Sequence, residues 1–596
     1  MFKKILLGIV VLCVCCGFFV FKNQEEAKTI IKDVPVVNKL AFKTSNMLGI
    51  TDKQPAGMTF DKEVKKSVSL IIDAASELGD YKNFYCGVGM GSFNDGALLP
   101  QNRRYYKLLQ ETNKENKTFI YVNSKGILSS KADKGNRDDG GYILTKNTDG
   151  EFTYNWFYVD AVLDKYVELG LKPILSLTFM PEVLATNPDR RNPWHRGIIT
   201  PPKDYEKWQD LIYRTILHLK ERYGKKEISS WYFEVWNEPD LYKWFWIAHP
   251  DKKRYPHKGD NEEYYKLYDY AVQGAIEAEP EIRIGGPAIA GELKLFFRDF
   301  LKHCYSGENY ATGETGTRLD FISRHHYGSI EEEILPNYKH FIDIAREEAG
   351  DKFDDLDILI TETGPSAFPK PWMNNHYVAA WIVKEFDAMF YLQDNFGPDF
   401  LPDIMCFWTK PVPLHFGNHF GIATVLGNKW RPNPETIVKR PSFNGYYALS
   451  LLGKTRLKID GAQFGDFIHG LATKDGDQKL ATIIYHFNQW DETSADTTVF
   501  DVDLSFRNIS FADFKMDHYR IDKTHSNGYT VWKSLRSPEE PTNEQISQLQ
   551  KRDDLEIIES GINKTAPDGS FNMSVKLPAN GVSLIVFTKI LKRWNE

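Results

Sequence analysis

The sequence predicts an α/β fold, a (β/α)8 TIM barrel followed by a C-terminal β-sandwich. Two observations lead to this prediction. Short apolar runs alternate with amphipathic helical segments from about residue 34 to residue 453, which is typical of repeated β/α units. After Gly453 the apolar runs are separated by polar turns instead of helices. The 596 residues are enough for a barrel with insertions and a smaller second domain.

The barrel prediction depends on eight candidate strands. They are Lys39–Lys43, Asn83–Val88, Lys172–Phe179, Trp231–Trp236, Ile282–Gly286, Asp320–His325, Leu356–Glu362 and Asp403–Trp408. The most regular helical segment between them runs from Asp204 to Tyr223, where apolar residues recur at intervals of three and four. Pro202 precedes this helix and Gly224 follows it, as helix start and stop signals do. A doubly wound open sheet is the alternative for the same alternation.

The C-terminal part, residues 454–596, predicts a β-sandwich accessory domain. Lys479–Phe487, Thr498–Leu504 and Val582–Phe587 have the apolar and β-branched residues of strands. Polar turns separate these strands and few helical segments occur among them. The catalytic barrel is therefore expected to occupy residues 34–453 and the sandwich the rest.

Residues 1–22 predict a signal peptide or a membrane anchor outside the fold. Lys3 and Lys4 make a short basic start, and no charged residue occurs from Ile5 to Phe21. This apolar run is at the lower limit for crossing a bilayer, and no small-residue cleavage site follows it. Cleavage, lipid attachment and retention therefore stay open. In each case we expect a secreted or cell-envelope protein, with membrane attachment as one alternative.

The charge and the cysteine content exclude several classes of protein. A net charge of −7 provides no basic surface for nucleic acid. After residue 22 the cysteines are Cys86, Cys304 and Cys406, which are too few for a disulfide framework and are not spaced as metal ligands. We therefore predict no nucleic-acid partner and no metal site.

Two carboxylates lie at the ends of candidate strands, where a TIM barrel places its reacting groups. Glu238 follows the fourth strand in the run WYFEVWNEPD, and Glu362 ends the seventh in DILITETGP. Strands four and seven lie across the barrel mouth from each other, so both side chains can face one glycosidic bond, as glycoside hydrolysis requires. The alternative for a single Glu at such a position is a solvated or salt-bridged surface group.

Polar residues surround the two carboxylates. Asn237 can donate a hydrogen bond to a sugar hydroxyl, often the 2-OH. His325 and Tyr327 end the sixth strand, where a neutral imidazole can bind hydroxyls and a Tyr can hydrogen-bond the nearby Glu362. Glu234 lies four residues before Glu238, and we interpret it as a paired carboxylate inside the barrel.

These residues lie in runs that resemble glycoside hydrolase family 39, the β-xylosidase and α-L-iduronidase family of clan A. The resemblance covers nearly the whole chain after the N-terminal segment. The runs are KPILSLTFMPEVLA, ITPPKDYEKWQDL, FEVWNEPDL, IRIGGPAIAG, DFISRHHY, ITET, FWT and, in the C-terminal domain, THSNGYTVWKSLRSPEEPT.

The resemblance implies a retaining double displacement on a carbohydrate substrate, with Glu362 as nucleophile and Glu238 as acid/base. The residues that it implies for the −1 subsite are Asn237, His325, Tyr327, Phe179 and Trp408. No cofactor is implied, because both steps need only carboxylates and water. The family also makes an oligomer plausible.

Two departures from the family's pattern concern the substrate. Xylosidase members have a G-H-G run at the end of strand two, and Val88 stands here in place of that His. After strand eight, the acidic residues of those relatives are replaced by Lys410, His415 and His419. Cations there favour an anionic group on the substrate, so Lys410 is a candidate substrate-binding residue. The alternative is that these side chains face solvent on a loop.

Three functional hypotheses follow. The first is a β-xylosidase-like exo-glycosidase acting on oligo- or polysaccharide. The second is a uronidase or another glycosidase on acidic polysaccharide fragments, bearing uronate or sulfate. The third is a non-catalytic carbohydrate-binding protein on the same scaffold, which is expected to have lost one of the two carboxylates, whereas this sequence has both.

Overall fold

The computed structural model describes residues 67–92, 100–128, 143–241, 243–246, 260–290, 294–409, 421–428 and 431–591. The predicted N-terminal segment 1–22, the candidate strand Lys39–Lys43 and the side chains of Lys410, His415 and His419 lie outside these ranges. Within these ranges, no helix combines the length and the apolar character needed to cross a membrane.

The secondary structure is numbered along the chain. The strands are β1 (Ser67–Asp80), β2 (Gly87–Ser92), β3 (Tyr121–Lys125), β4 (Leu144–Lys146), β5 (Phe152–Tyr154), β6 (Lys172–Ser176), β7 (Tyr232–Glu234), β8 (Arg283–Ile289), β9 (Phe321–Tyr327), β10 (Asp357–Gly364), β11 (Ile404–Phe407), β12 (Ala423–Asn428), β13 (Arg431–Lys439), β14 (Thr455–Asp460), β15 (Ile468–Asp475), β16 (Lys479–His486), β17 (Val499–Arg507), β18 (Asp513–Ile521), β19 (Glu556–Lys564), β20 (Phe571–Pro578) and β21 (Val582–Lys589). The α-helices are α1 (Pro100–Asn116), α2 (Phe157–Glu168), α3 (Tyr205–Tyr223), α4 (Lys225–Ile228), α5 (Asp260–Ala278), α6 (Lys294–Ser306), α7 (Leu335–Ala349), α8 (Tyr377–Phe396), α9 (Pro441–Ser450), α10 (Gly528–Ser534) and α11 (Asn543–Gln550).

Eight parallel strands close a barrel, as predicted. Their order around the barrel is β2, β3, β6, β7, β8, β9, β10 and β11, and β11 pairs with β2 to close the ring. The predicted helix over Asp204–Tyr223 is confirmed as α3. The Asp204 side chain caps its first turn by accepting from the backbone N–H of Lys207, and Gly224 ends it with a φ of 83°.

One prediction about the barrel was wrong. The second strand is β3, which pairs with β2 and β6, and the ring closes without the candidate Lys39–Lys43. Val88 therefore lies on the first strand and not on the second. The sequence of β3, YVNSK, has few apolar residues because its polar side chains have partners inside the protein. Asn123, for example, donates to the backbone oxygen of Thr361 at 2.6 Å.

The C-terminal strands form a sandwich, as predicted. One nine-stranded sheet has the order β19, β18, β21, β16, β15, β14, β1, β17, β20. The sheet folds over itself, because strands far apart in this order face each other. The Phe506 ring of β17 lies 4.7 Å from the Phe587 ring of β21, and the Phe514 ring of β18 lies 5.2 Å from the Phe571 ring of β20. Phe506, Phe514 and Phe587 belong to one buried core, and the partly buried Phe571 packs against it.

The predicted domain limits need a correction at the N-terminal side. Strand β1, within the range assigned to the barrel, pairs parallel with β17 and antiparallel with β14 of the sandwich. The residues that pair with β1 therefore lie far along the chain, from Thr455, opposite Asp80, to Arg507, opposite Asp73. No local pattern in the sequence reports such a pairing.

Helix α8 joins the two domains. The side chain of Asp387 accepts a hydrogen bond from the Tyr485 hydroxyl of β16 at 2.7 Å and contacts His469 of β15 at 2.5 Å. Nearly all of α8 is buried, since its other side packs on the barrel. This helix therefore links the sandwich to the strands that carry the candidate site.

Candidate active site

The structure brings the two predicted carboxylates together at the mouth of the barrel. Glu362 lies in the seventh strand, β10, and Glu238 lies four residues after the end of the fourth, β7. One oxygen of each carboxylate and one ring nitrogen of His325 all lie within 4.8 Å of one another. The side chains of Glu238 and Glu362 are 12% and 8% exposed, so both are nearly enclosed but still reach solvent.

A sharp backbone turn positions Glu238. Trp236 and Glu238 have φ values of 73° and 47°, in the left-handed region that side-chain-bearing residues rarely occupy. The turn is held by a hydrogen bond of 3.0 Å from the Glu238 N–H to the Ala288 oxygen, and by the Trp236 indole, which donates to the Trp244 oxygen at 2.9 Å. The Glu238 carboxylate consequently lies beside strand β9.

His325 and Tyr327 of β9 connect the two carboxylates. The Tyr327 hydroxyl donates to Glu362 Oε2 at 2.6 Å. His325 Nδ1 lies 2.8 Å from Glu238 Oε1 and 3.5 Å from Glu362 Oε2. Burial lowers the pKa of His325 to about 3, so the imidazole is neutral, and burial raises the pKa of Tyr327 well above its usual range, so the phenol keeps its proton.

Lys125 is a site residue that the sequence analysis missed. It ends β3, its side chain is fully buried, and its ammonium contacts both Glu362 Oε1 and Asn237 Oδ1. The ammonium also lies 5.2 Å from the centre of the Trp408 ring. The sequence shows Lys125 as a charged residue at the end of the run YVNSK. This position indicates a site residue only once the run is recognised as a barrel strand.

The other predicted subsite residues divide into two groups. Asn237 is fully buried beside Lys125. Trp408 follows β11, and its backbone N–H donates to the backbone oxygen of Thr363 at 2.9 Å. Phe179 is placed differently. Its ring is buried against Trp236 at 6.4 Å, and a Cβ at Gly197 would lie only 2.1 Å from it. The described aromatic neighbours of its ring are Trp236, Trp244 and His195, and neither carboxylate is among its described contacts.

Glu234 is an interior carboxylate, but its partners are hydroxyl groups. Ser176 and Thr361 donate to it at 2.8 and 3.0 Å, and the side chain is fully buried. Burial raises the pKa of Glu234. It lies on β7 below the barrel mouth, as the four-residue spacing to Glu238 predicted.

A second buried carboxylate, that of Glu385, is hydrogen-bonded to strands β9 and β10. Glu385 of α8 accepts hydrogen bonds from the Tyr85 hydroxyl at 2.6 Å, from His326 at 2.9 Å and from the Thr363 hydroxyl. His326 and Thr363 directly neighbour site residues in β9 and β10. Glu385 therefore fixes the two strands that carry the Tyr327–Glu362 pair.

The group Glu238, His325 and Glu362 also has the ligand types and spacing of a cation site. The ammonium of Lys125 already pairs with Glu362, and its charge repels a second cation at this position. The arrangement therefore suits acid/base and nucleophilic chemistry by the two carboxylates better than metal binding.

Comparison with known proteins agrees with this geometry. Residues 68–566 match the sequence profile of Glycosyl hydrolases family 39. The chain belongs to this family. A β-xylosidase of Geobacillus stearothermophilus is 27% identical over 530 residues, which cover 85% of this chain and 93% of that protein. Human α-L-iduronidase is 27% identical over 252 residues, 41% of this chain and 35% of that protein. This family 39 member is a glycosidase.

Solved structures show the same fold. A family 39 enzyme from Xanthomonas axonopodis pv. citri has a TM-score of 0.68 at 18% identity and covers 88% of this chain and 98% of its own. A monomeric β-xylosidase from Caulobacter crescentus CB15 has a TM-score of 0.68 at 21% identity over 88% of this chain and all of its own. Both extend over the barrel and the sandwich.

Proposed function

We propose that this glycosidase is a retaining, exo-acting β-xylosidase-like enzyme. The observation that carries the proposal is the separation of at most 4.8 Å between an oxygen of Glu238 and one of Glu362. Retaining enzymes hold their carboxyl groups about 5–5.5 Å apart so that one attacks directly, whereas inverting enzymes need about 6.5–9.5 Å to admit a water.

In the first step Glu362 attacks the anomeric carbon and forms a glycosyl ester, while Glu238 gives its proton to the departing oxygen. In the second step Glu238 takes a proton from water, the water oxygen bonds to the anomeric carbon, and the Glu362 carboxylate leaves. Tyr327 and neutral His325 keep the two carboxylates in position through these steps, because each contacts one of them at hydrogen-bond distance. Asn237 and Trp408 contribute to the pocket around the sugar ring.

The choice of xylose rests on the extent of the similarity. The β-xylosidase of Geobacillus stearothermophilus aligns with this chain over 93% of its length, so the sandwich is included. The second candidate is a uronidase, which the similarity to α-L-iduronidase over 252 residues favours. The near-complete burial of Glu362 and Asn237 supports exo action, because the end of a sugar chain reaches buried groups more easily than its middle does.

A panel of aryl xylosides, glucuronides, iduronides, galactosides and arabinosides tests the substrate, and NMR of the first-formed product tests the stereochemistry. We expect xyloside hydrolysis with the β-anomer of xylose formed first. Initial formation of the opposite anomer would refute the retaining mechanism. Hydrolysis of uronides alone would favour the second candidate.

Two variants separate the proposed roles. In Glu362→Gln we expect kcat to fall by about 10²–10⁴-fold or more on every substrate. In Glu238→Gln the loss of kcat/KM is large for alkyl glycosides but small for dinitrophenyl glycosides, because that leaving group needs no proton. Glu234→Gln is the matched control. Its carboxylate is buried below the mouth, and the variant retains kcat/KM on both substrates.

A further inference from the structure

The position of Lys125 suggests a role in substrate recognition. A fully buried ammonium is unfavourable unless acceptors surround it, and this one has two acceptors, Asn237 Oδ1 and Glu362 Oε1. An ammonium has three N–H donors. No third protein acceptor lies within hydrogen-bonding reach in the described part of the chain.

Lys125 also fixes the orientation of the Asn237 amide. An ammonium only donates hydrogen bonds, so the oxygen of Asn237 faces it and Nδ2 points away. Nδ2 is buried, and among the described residues no acceptor is within reach of it. Because Oδ1 and Nδ2 belong to one amide group, the ammonium and Nδ2 are close neighbours. Two donors are thus placed side by side, next to Glu362 Oε1.

The substrate atom that faces these donors follows from the charge of the transition state. When Glu362 attacks, the ring atoms beside the anomeric carbon are the ring oxygen and C2. The ring oxygen shares the positive charge of the oxocarbenium-like transition state. The positive charge of an ammonium beside the ring oxygen would oppose the developing positive charge there and raise the energy of the transition state. The 2-oxygen carries no such charge.

A hydroxyl at C2 fits this arrangement. Its oxygen has two lone pairs for the donors of Lys125 and Asn237, and its single proton can be donated to Glu362 Oε1. On the basis of the proposed glycosidase function, we propose that Lys125 binds the 2-oxygen of the sugar in the −1 subsite and makes a hydroxyl at C2 a requirement. A hydrogen at C2 would leave Asn237 Nδ2 and the third N–H of Lys125 without an acceptor. An acetamido group would place a donor and extra volume there.

The test compares an aryl xyloside with its 2-deoxy analogue in the wild-type enzyme and in Lys125→Met, which keeps the length of the side chain without its charge. In the wild type we expect kcat/KM for the 2-deoxy substrate to be lower by about 10²-fold or more. In Lys125→Met this discrimination shrinks by about tenfold or more, because one of the two donors is gone. The different intrinsic reactivity of the two substrates cancels between the two enzymes.

Lys384→Met is the matched control. Lys384 is also buried and pairs with the buried Glu331, but it lies in α8, away from the barrel mouth. This variant keeps the full wild-type discrimination. Thermal unfolding of all variants shows whether they fold.

Two outcomes would overturn the proposal. One is unchanged discrimination in a folded Lys125→Met enzyme. The other needs no variant and is a wild-type enzyme that hydrolyses the 2-deoxy substrate as well as the parent. If the panel shows activity on another sugar, the aryl glycoside of that sugar is compared with its own 2-deoxy analogue in the same enzymes. A failure of the xylosidase assignment is therefore distinct from a failure of this inference.

Discussion

The Tyr327 hydroxyl donates a hydrogen bond of 2.6 Å to Glu362 Oε2, from one barrel strand to the next. Because burial raises the pKa of Tyr327 well above its usual range, the hydroxyl keeps its proton and remains a donor at neutral pH. The bond holds the Glu362 carboxylate in one orientation, with its other oxygen against Lys125.

Tyr327→Phe removes this bond. A hydrogen bond to a charged group contributes about 1.5–3 kcal/mol, so we expect kcat/KM to fall by about 10–100-fold. Tyr485→Phe is the matched control, since Tyr485 donates to the buried Asp387 at 2.7 Å between the two domains. We expect its kcat/KM to be unchanged. Equal rates in Tyr327→Phe and the wild type would remove Tyr327 from the mechanism.

Glu385→Ala tests the support behind the site. It leaves the Tyr85 hydroxyl, His326 and the Thr363 hydroxyl without their buried acceptor. We expect the free energy of unfolding, measured by urea titration, to fall by about 3 kcal/mol or more. The control is Glu347→Ala, which removes an exposed carboxylate paired with Arg298, and we expect a much smaller loss because solvent screens an exposed ion pair. Similar losses in the two variants would contradict the assigned role.

Asp553 makes the stability depend on pH. Burial raises its pKa to about 7 in the folded protein, while its ordinary value is 3.8. Between these values the unfolded chain has lost the proton and the folded chain keeps it, so stability falls as pH rises from about 4 to 7. Asp553→Asn resembles the protonated form and can still accept from the Lys439 N–H.

We therefore expect Asp553→Asn to have little effect on the melting temperature near pH 4 and to raise it at pH 8. The gain in unfolding free energy is at most about 4 kcal/mol, from about three pKa units. If the melting temperatures of the wild type and the variant change by the same amount from pH 4 to pH 8, the elevated pKa of Asp553 is refuted.

Removal of divalent metal ions tests the choice between acid/base chemistry and metal binding at Glu238, His325 and Glu362. Because Lys125 already neutralises Glu362, we expect dialysis against EDTA to leave kcat and KM unchanged. Loss of activity that a divalent ion restores would show that the cluster binds a metal required for the reaction.

The barrel and the two carboxylates could be predicted because their signals are local. An apolar run before Glu362 and the N-E-P sequence around Glu238 identify both strand ends without knowledge of any distant contact. The order of strands in the ring follows the order in the chain, so only β8 and β9 separate the fourth strand from the seventh. The approach of the two carboxylates then follows from barrel geometry.

Lys125 and strand β1 could not be predicted because their signals are not local. The polar residues of YVNSK indicate a loop until their partners across the barrel are known, such as Thr361 for Asn123. Strand β1 is paired with residues far along the chain in the sandwich. The lowered pKa of His325 likewise depends on its burial by several strands, which the run DFISRHHY does not reveal.

The most direct test of the two-carboxylate mechanism is the residue that carries the sugar in the covalent intermediate. A 2-deoxy-2-fluoro aryl glycoside of the preferred sugar slows the second step and traps this intermediate, and peptide mapping by mass spectrometry locates it. We predict one fluoroglycosyl group per chain, esterified to Glu362. A label on any other residue, Glu238 included, would contradict the account.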